Sequence, residues 1–288
     1  MTTADAIFVS PHLDDAALSC GGAIAHLVGG GASVTVVTVF TADPPAGQPL
    51  STLAHRAHAS WELGDRPFAA RRDEDLAAMQ LLGAHAEHLG LLDAIYRRSA
   101  SGEALYSDPL VSPAAEDAER FLPRLVAAIE ASALGASPLT RVFCPAATGG
   151  HVDHTLARQA AEQVVDAERI VYYSEYPYSA RPGVSAGVPS DAAAFSLHTL
   201  TLTADELDAR IEAVASYASQ LRGLFPSQAE RLREIASARI PVVGRRLALP
   251  PDVAASRERM ASAIRGDIAK LGGERYWWPR GAASPFEA

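Results

Sequence analysis

Six residues in two short stretches carry the chemistry open to this chain. His12, Asp14 and Asp15 lie in Ser10-Pro11-His12-Leu13-Asp14-Asp15-Ala16, and the other three form His151-Val152-Asp153-His154. A catalytic zinc site takes three protein ligands from neutral imidazole and carboxylate and keeps one position for water. His12 and Asp15 are three residues apart, so both can reach one ion where a turn becomes helical. His151 and His154 share that spacing, and either one completes the set. Asp14 points away from its neighbour Asp15, which suits a base that takes a proton from water. The remaining histidine can stabilise an oxyanion and protonate a leaving amine, with Asp153 holding its tautomer. Either stretch alone also fits a capped helix start or a solvated turn. Their joint placement is what points to chemistry.

Each stretch follows a short apolar run and opens an alanine-rich or leucine-rich one. Residues 6–9 and 142–144 read as buried strands, so both stretches fall on strand-to-helix turns. In open α/β sheets, ligands bind beyond the carboxyl ends of the strands. Further strands are predicted at 33–40, 86–92, 169–173 and 195–202. Helices are predicted at 17–28, 68–83, 114–134, 154–167, 204–221 and 252–271. This alternation gives an α/β fold, a Rossmann-like and mostly parallel sheet with helices on both faces, plus a smaller C-terminal α+β portion. Residues 1–178 would form the catalytic core, and 179–288 an extension packed on it. The proline-bearing segment 41–67 reads as a long loop whose His55, His58 and Trp61 could line a pocket mouth. Residues 231–249 read as mixed.

The composition sets outer bounds. The chain has 288 residues, 48% of them hydrophobic, which suits one large domain or two small ones with a sizeable core. A net charge of −9 argues against a nucleic-acid or anionic-membrane surface. No apolar run of membrane-spanning length and no secretory signal is visible, so no membrane insertion and a cytoplasmic location are expected. Cys20 and Cys144 read as small buried residues rather than a disulfide.

Pro11-His12-Leu13-Asp14-Asp15 with Gly21-Gly22, and His151-Val152-Asp153-His154, resemble the two signature motifs of the PIG-L/LmbE-like zinc deacetylases. Arg71-Arg72-Asp73-Glu74 is similar to that family's Arg-x-x-Glu helix, and Ser219-Gln220 and Gly273-Glu274 to its C-terminal pattern. The resemblance implies a hydrolase dependent on Zn²⁺ or another divalent metal. It would remove an N-acyl group, N-acetyl foremost, from a small-molecule amino sugar or glycosylated metabolite. Under it, His12, Asp15 and His154 hold the metal and Asp14 is the general base. His151 is the oxyanion-side acid with Asp153 behind it, and Asp93 faces substrate. Arg71 and Arg97 are expected to contact sugar hydroxyls or a phosphate, with salt bridges as the alternative. A thiol-conjugate or other non-sugar amidase and a catalytically silent sugar-binding module are the competing functions. Asp14 and His151 beside the three ligands weigh against the last, since binding alone needs neither.

Three positions depart from the family pattern. Leu13 stands where the first motif has proline, and Ala16 where it has glutamate. Losing that glutamate removes a hydrogen bond behind the ligands, so their support is expected from elsewhere. Gly149 stands where thiol-pathway members carry a tyrosine, so an oxyanion-side hydroxyl is either missing or supplied by Tyr96, Tyr173 or Tyr178.

Overall fold

A computed structural model describes residues 5–64, 66–136, 140–181, 192–227, 253–282, 284 and 286. Among the described residues, seven strands form one sheet: β1 Ala6–Ser10, β2 Val34–Thr38, β3 His85–His88, β4 Arg141–Pro145, β5 Ile170–Tyr173, β6 Phe195–Leu200 and β7 Glu274–Pro279. Their order is β3-β2-β1-β4-β5-β7-β6. The first five run parallel, while β7 is antiparallel to both β5 and β6. The mostly parallel sheet read from the sequence is thus present.

Side chains alternate across a strand, so each strand serves two cores. Phe8 of β1 packs on one face with Val36, Phe143 and Val171, while Ile7 and Val9 join Val142, Cys144 and Ile170 on the other. The Phe8 and Phe143 rings stack at 4.2 Å in the first core. Each such fully buried side chain contributes about 1.5–3 kcal/mol. Helices α1 (Asp15–Gly29) and α3 (Pro67–Leu82) cover the first face, together with α8 (Ala204–Ala215). Helix α7 (Val152–Val164) covers the second with α5 (Leu122–Glu130). Cys20 and Cys144 are buried and free, as expected.

Several elements differ from the sequence reading. The helix expected at 114–134 is three pieces, α4 (Ala115–Arg120), α5 and α6 (Ala133–Ala136). Pro123 sits in the first turn of α5, where its missing N–H is tolerated but a continuous helix is not. The segment read as a loop contains α2 (Thr52–Trp61), capped by Ser51 Oγ accepting from Ala54 N at 3.0 Å. Only Ala54 of α2 is fully buried, which is why no apolar periodicity marked it. The helix expected at 204–221 breaks at Ser216-Tyr217 into α8 and α9 (Ala218–Leu224). The last helix, α10 (Val253–Leu271), matches its expected span, and 231–249 lies outside the described residues. Tyr276, Trp277 and Trp278 form the buried centre of strand β7, a strand the sequence reading did not include.

A buried ion pair stitches this C-terminal part to α1, the helix that starts at the first motif. Glu274 accepts from the backbone N–H of Gly22 and of Ala23, each at 2.9 Å, and pairs with Arg210 of α8 at 3.2 Å. Arg210 also donates to the Leu18 carbonyl. Gly22 is what lets these groups close in, since a Cβ there would lie 2.4 Å from Leu202 and 2.8 Å from Glu274. No helix among the described residues is long and apolar enough to cross a membrane.

Candidate metal centre and active site

The chain order reverses between β1 and β4, which are neighbours in the sheet. Such a reversal leaves a crevice at the carboxyl ends of the two strands, and both motifs emerge there. After β1 the chain turns sharply. Asp15 Oδ2 accepts from the His12 backbone N–H at 2.9 Å, and Ser10 Oγ accepts from Ala16 N at 3.1 Å. Asp14 takes the strained backbone conformation φ 149°, ψ −29° at the start of α1, without capping it by a side-chain bond. The helix-cap reading of Asp14 therefore does not apply. After β4, Gly149 and Gly150 both adopt positive φ, and His151 becomes the first residue before α7.

Two triads of ligand atoms, His12/Asp15/His154 and His12/His151/Asp153, each lie within 4.8 Å of one another. His12 belongs to both because its ring has an occupied edge on each side. Nδ1 lies 3.2 Å from Asp15 Oδ2, and Nε2 lies 3.0 Å from Asp153 Oδ2. The first triad fits a metal better. His154 Nε2 is buried, 3.3 Å from Asp15 Oδ2, and makes no hydrogen bond, whereas buried polar atoms are nearly always paired. In the second triad Asp153 is already satisfied by Arg97 at 2.6 Å and by the Ala94 N–H at 3.0 Å.

Each imidazole of the first triad has a carboxylate behind it. Asp153 faces His12, and Glu175 Oε1 lies 3.1 Å from His154 Nδ1. Glu175 is held in turn by the Thr148 N–H at 3.0 Å and is fully buried. Such carboxylate–histidine pairs fix the tautomer and raise ligand basicity. Both rings thus have a carboxylate behind them although Ala16 offers none. Glu175 escaped the sequence reading, although it follows the fifth strand as Asp93 follows the third. A carboxylate at a strand's end was the available signal.

The placement of Asp153 corrects one expected role. Its carboxylate serves His12, and what faces His151 Nδ1 is the Asp153 backbone N–H, at 3.1 Å. A backbone N–H can only donate, so Nδ1 accepts and the neutral ring carries its proton on Nε2. Burial, then the nearby His12 and His154, hold His151 well below the usual imidazole range. His151 is thus a neutral donor at the site.

The carboxylates differ sharply. Burial and then Asp15 push Asp14 up to about 7. Burial would raise Asp15 as well, but His154 and His12 hold it well below the usual carboxylate range. For Asp153, burial is likewise outweighed by Arg97 and His12. Burial would depress His154, yet Asp15 and Glu175 lift it to about 9. The first triad is therefore a place that attracts positive charge.

The crevice opens into a cavity of about 620 Å³, open mouth included, walled by His12, Asp14, Asp15 and His151 at one end. Arg71, Asp93, Trp61, Tyr178 and Gln220 line the rest together with Leu18, Ile95, Pro177 and Leu224. Asp93 is on the same sheet edge as His12, with 3.6 Å between Oδ2 and Nε2. Arg71 is buried with its guanidinium 4.5 Å over Trp61 and 5.0 Å over Phe68. Arg97 is not on the wall. It is buried behind Asp153, bonded to Asp117 at 2.9 Å and to the Leu92 carbonyl, so its donors face carboxylates rather than substrate. Of the tyrosines considered, Tyr173 donates to the Val9 carbonyl and Tyr96 meets His58 at 2.6 Å. Tyr178 lines the cavity and fills the space a side chain at Gly149 would need, its ring 2.8 Å from that Cβ position. His55 is exposed on α2, and only Trp61 of that helix reaches the wall.

A doubly wound sheet with a two-histidine, one-carboxylate triad and a neighbouring unpaired acid at its switch point defines a metal-dependent hydrolase class. The family model of PIG-L, GlcNAc-PI de-N-acetylase, matches residues 7–165, and the chain belongs to that family. A 2'-N-acetylparomamine deacetylase of Niallia circulans is 31% identical over 242 residues, covering 78% of this chain and 83% of the relative. The enzyme of the same name from Streptomyces fradiae is 36% identical over 178 residues, 60% of this chain and 57% of the relative. A deacetylase of teicoplanin biosynthesis superposes with a TM-score of 0.67 at 28% identity, covering 95% of this chain and 96% of its own. Its zinc-inhibited form gives 0.68 at 28% identity, covering 95% and 97%.

Proposed function

We propose that this protein is a zinc-dependent N-deacetylase that hydrolyses the acetamide of an amino sugar carried by a small glycosylated metabolite. The observation that carries the reading is the convergence of the buried His154 Nε2, 3.3 Å from Asp15 Oδ2, with His12 and Asp15 beside Asp14. Membership of the PIG-L family and the deacetylase relatives support the same reaction. A donor set of two imidazoles and one carboxylate suits Zn²⁺, with Fe²⁺ the chief competitor. When bound, the metal supplies Lewis acidity to the amide carbonyl and lowers the pKa of water. We place the protein in the cytoplasm, where two free, buried cysteines would stay reduced.

In this reading Asp14 accepts the proton of the attacking water. It can also return that proton to the departing amine, so one carboxyl serves both steps. His151 donates its Nε2–H to the oxyanion that develops on the amide. A neutral donor suffices there, because its role is to hold a hydrogen bond where charge appears. Arg71 and Asp93 on the wall take the sugar hydroxyls.

The test is to incubate zinc-loaded protein with N-acetylglucosamine, N-acetylgalactosamine and 2'-N-acetylparomamine and to measure primary amine and acetate. Equimolar release that a chelator abolishes is the expected result. No release from any of the three would overturn the reading.

A further inference from the structure

Glu74, the last residue of Arg71-Arg72-Asp73-Glu74, and the motif Ser219-Gln220 have no part in the chemistry above, yet the fold joins them. Glu74 of α3 accepts from the Ser219 backbone N–H at 2.9 Å and from Ser219 Oγ at 2.5 Å. One residue further along α3, Asp75 accepts from Tyr217 Oη at 2.7 Å. Consecutive carboxylates thus clamp the break between α8 and α9. That break is what swings Gln220 out of a continuous helix and onto the cavity wall, where it is 8% exposed.

The clamp also fixes which way the Gln220 amide points. Its Nε2 lies 2.8 Å from Ser219 Oγ. The Ser219 hydroxyl spends its single proton on Glu74, so towards Gln220 it can only accept. The flipped amide would set Gln220 Oε1 against an oxygen lone pair, and the network therefore excludes it. Oε1 makes no hydrogen bond among the described residues. One N–H and one carbonyl oxygen remain, fixed in direction before any ligand arrives. A hydroxyl, which donates and accepts, is the complementary group.

We infer that Gln220 is a specificity-determining contact that reads one hydroxyl of the substrate sugar, and that Ser219 and Glu74 are its positioning residues. The inference rests on the amino-sugar reading of the site. It differs from the roles of Arg71 and Asp93 in naming a neutral group whose orientation is set from behind. A contact away from the reacting carbonyl binds ground and transition states alike, so it acts on KM rather than kcat.

The experiment uses the zinc-loaded full chain and whichever of N-acetylglucosamine, N-acetylgalactosamine and 2'-N-acetylparomamine it turns over fastest, with the mono-deoxy analogues of that sugar. Gln220→Ala should raise KM about ten- to hundredfold with kcat and zinc content unchanged, the range for leaving one designed hydrogen bond unmade. One deoxy analogue should suffer the same loss with the native enzyme and no further loss with Gln220→Ala, which is the signature of a pairwise contact. Ser219→Ala should give a smaller rise in KM, because the amide is then free to turn, and Ser219→Thr should restore it. A Gln220→Ala enzyme with native KM would overturn the inference, as would an equal loss on every deoxy analogue. A native enzyme silent on all three sugars would instead fault the proposed function.

Discussion

Asp14→Asn should make the metal-free protein more stable and the loaded enzyme nearly inactive. The carboxyl titrates at 3.8 in a solvated chain and at about 7 in the fold, where burial and then Asp15 oppose its ionisation. A shift of about three units is worth about 4 kcal/mol at 1.36 kcal/mol per unit. The sign follows from proton binding. Between pH 4 and 7 the folded state holds a proton that the unfolded chain has released, so stability falls as pH rises through this window and is flat above it. Asparagine removes the titration, and the strained backbone is common to both proteins and cancels. The amide must itself be desolvated, so a gain of about 1–3 kcal/mol is expected at pH 8, and almost none at pH 4.

Urea unfolding of chelator-treated protein at the two pH values reads this directly, because the midpoint moves with stability at constant slope. Turnover at saturating Zn²⁺ should fall about 10²–10⁴-fold, the range for loss of a general base. A side chain serving only to cap α1 predicts the opposite pattern, a loss of about 1 kcal/mol with turnover kept. A variant that is less stable than the native protein at pH 8, or that turns over normally, would refute the reasoning.

His154→Ala should abolish stoichiometric zinc binding by metal analysis. Glu175→Gln should keep the site but weaken zinc binding about 10- to 100-fold in a chelator competition, since it loosens the ring behind one ligand. Arg97→Met leaves Asp153 and Asp117 without their buried cation and should cost about 3–5 kcal/mol in denaturant unfolding. Little change there would mean that Arg97 is dispensable to the site. Gly22→Ala places a methyl against Leu202 and Glu274 and should cost about 1–3 kcal/mol by the same measurement.

Strands β1 to β6 and the meeting of the two motifs were legible because their signals are local. Apolar runs such as Ile7-Phe8-Val9 announce a strand, and a histidine three residues from an aspartate or from another histidine announces a shared ion. Elements whose stability comes from one side only were harder to see. Helix α2 buries a single alanine and leans on a serine cap, so neither hydropathy nor length marked it. Strand β7 opens at Glu274, a buried carboxylate whose partners lie on α1 and α8. Nothing near it in sequence says that it crosses the sheet between β5 and β6.

The same distinction decides the role of Asp153. Sequence proximity assigns it to His151, two residues away, as the carboxylate of a triad would be. Topology assigns it elsewhere. Because β1 and β4 are adjacent and parallel, the first turns of α1 and α7 face each other, and the Asp153 carboxylate meets the ring of His12, 141 residues distant. Its backbone N–H is left for His151, and with it the proton on Nε2. Under the proposed mechanism the acid is then another group, and Asp14, which burial and then Asp15 push up, is the one assigned to it. Which ring the Asp153 carboxylate stands behind thus follows from the order of two strands, a quantity that motif spacing does not contain.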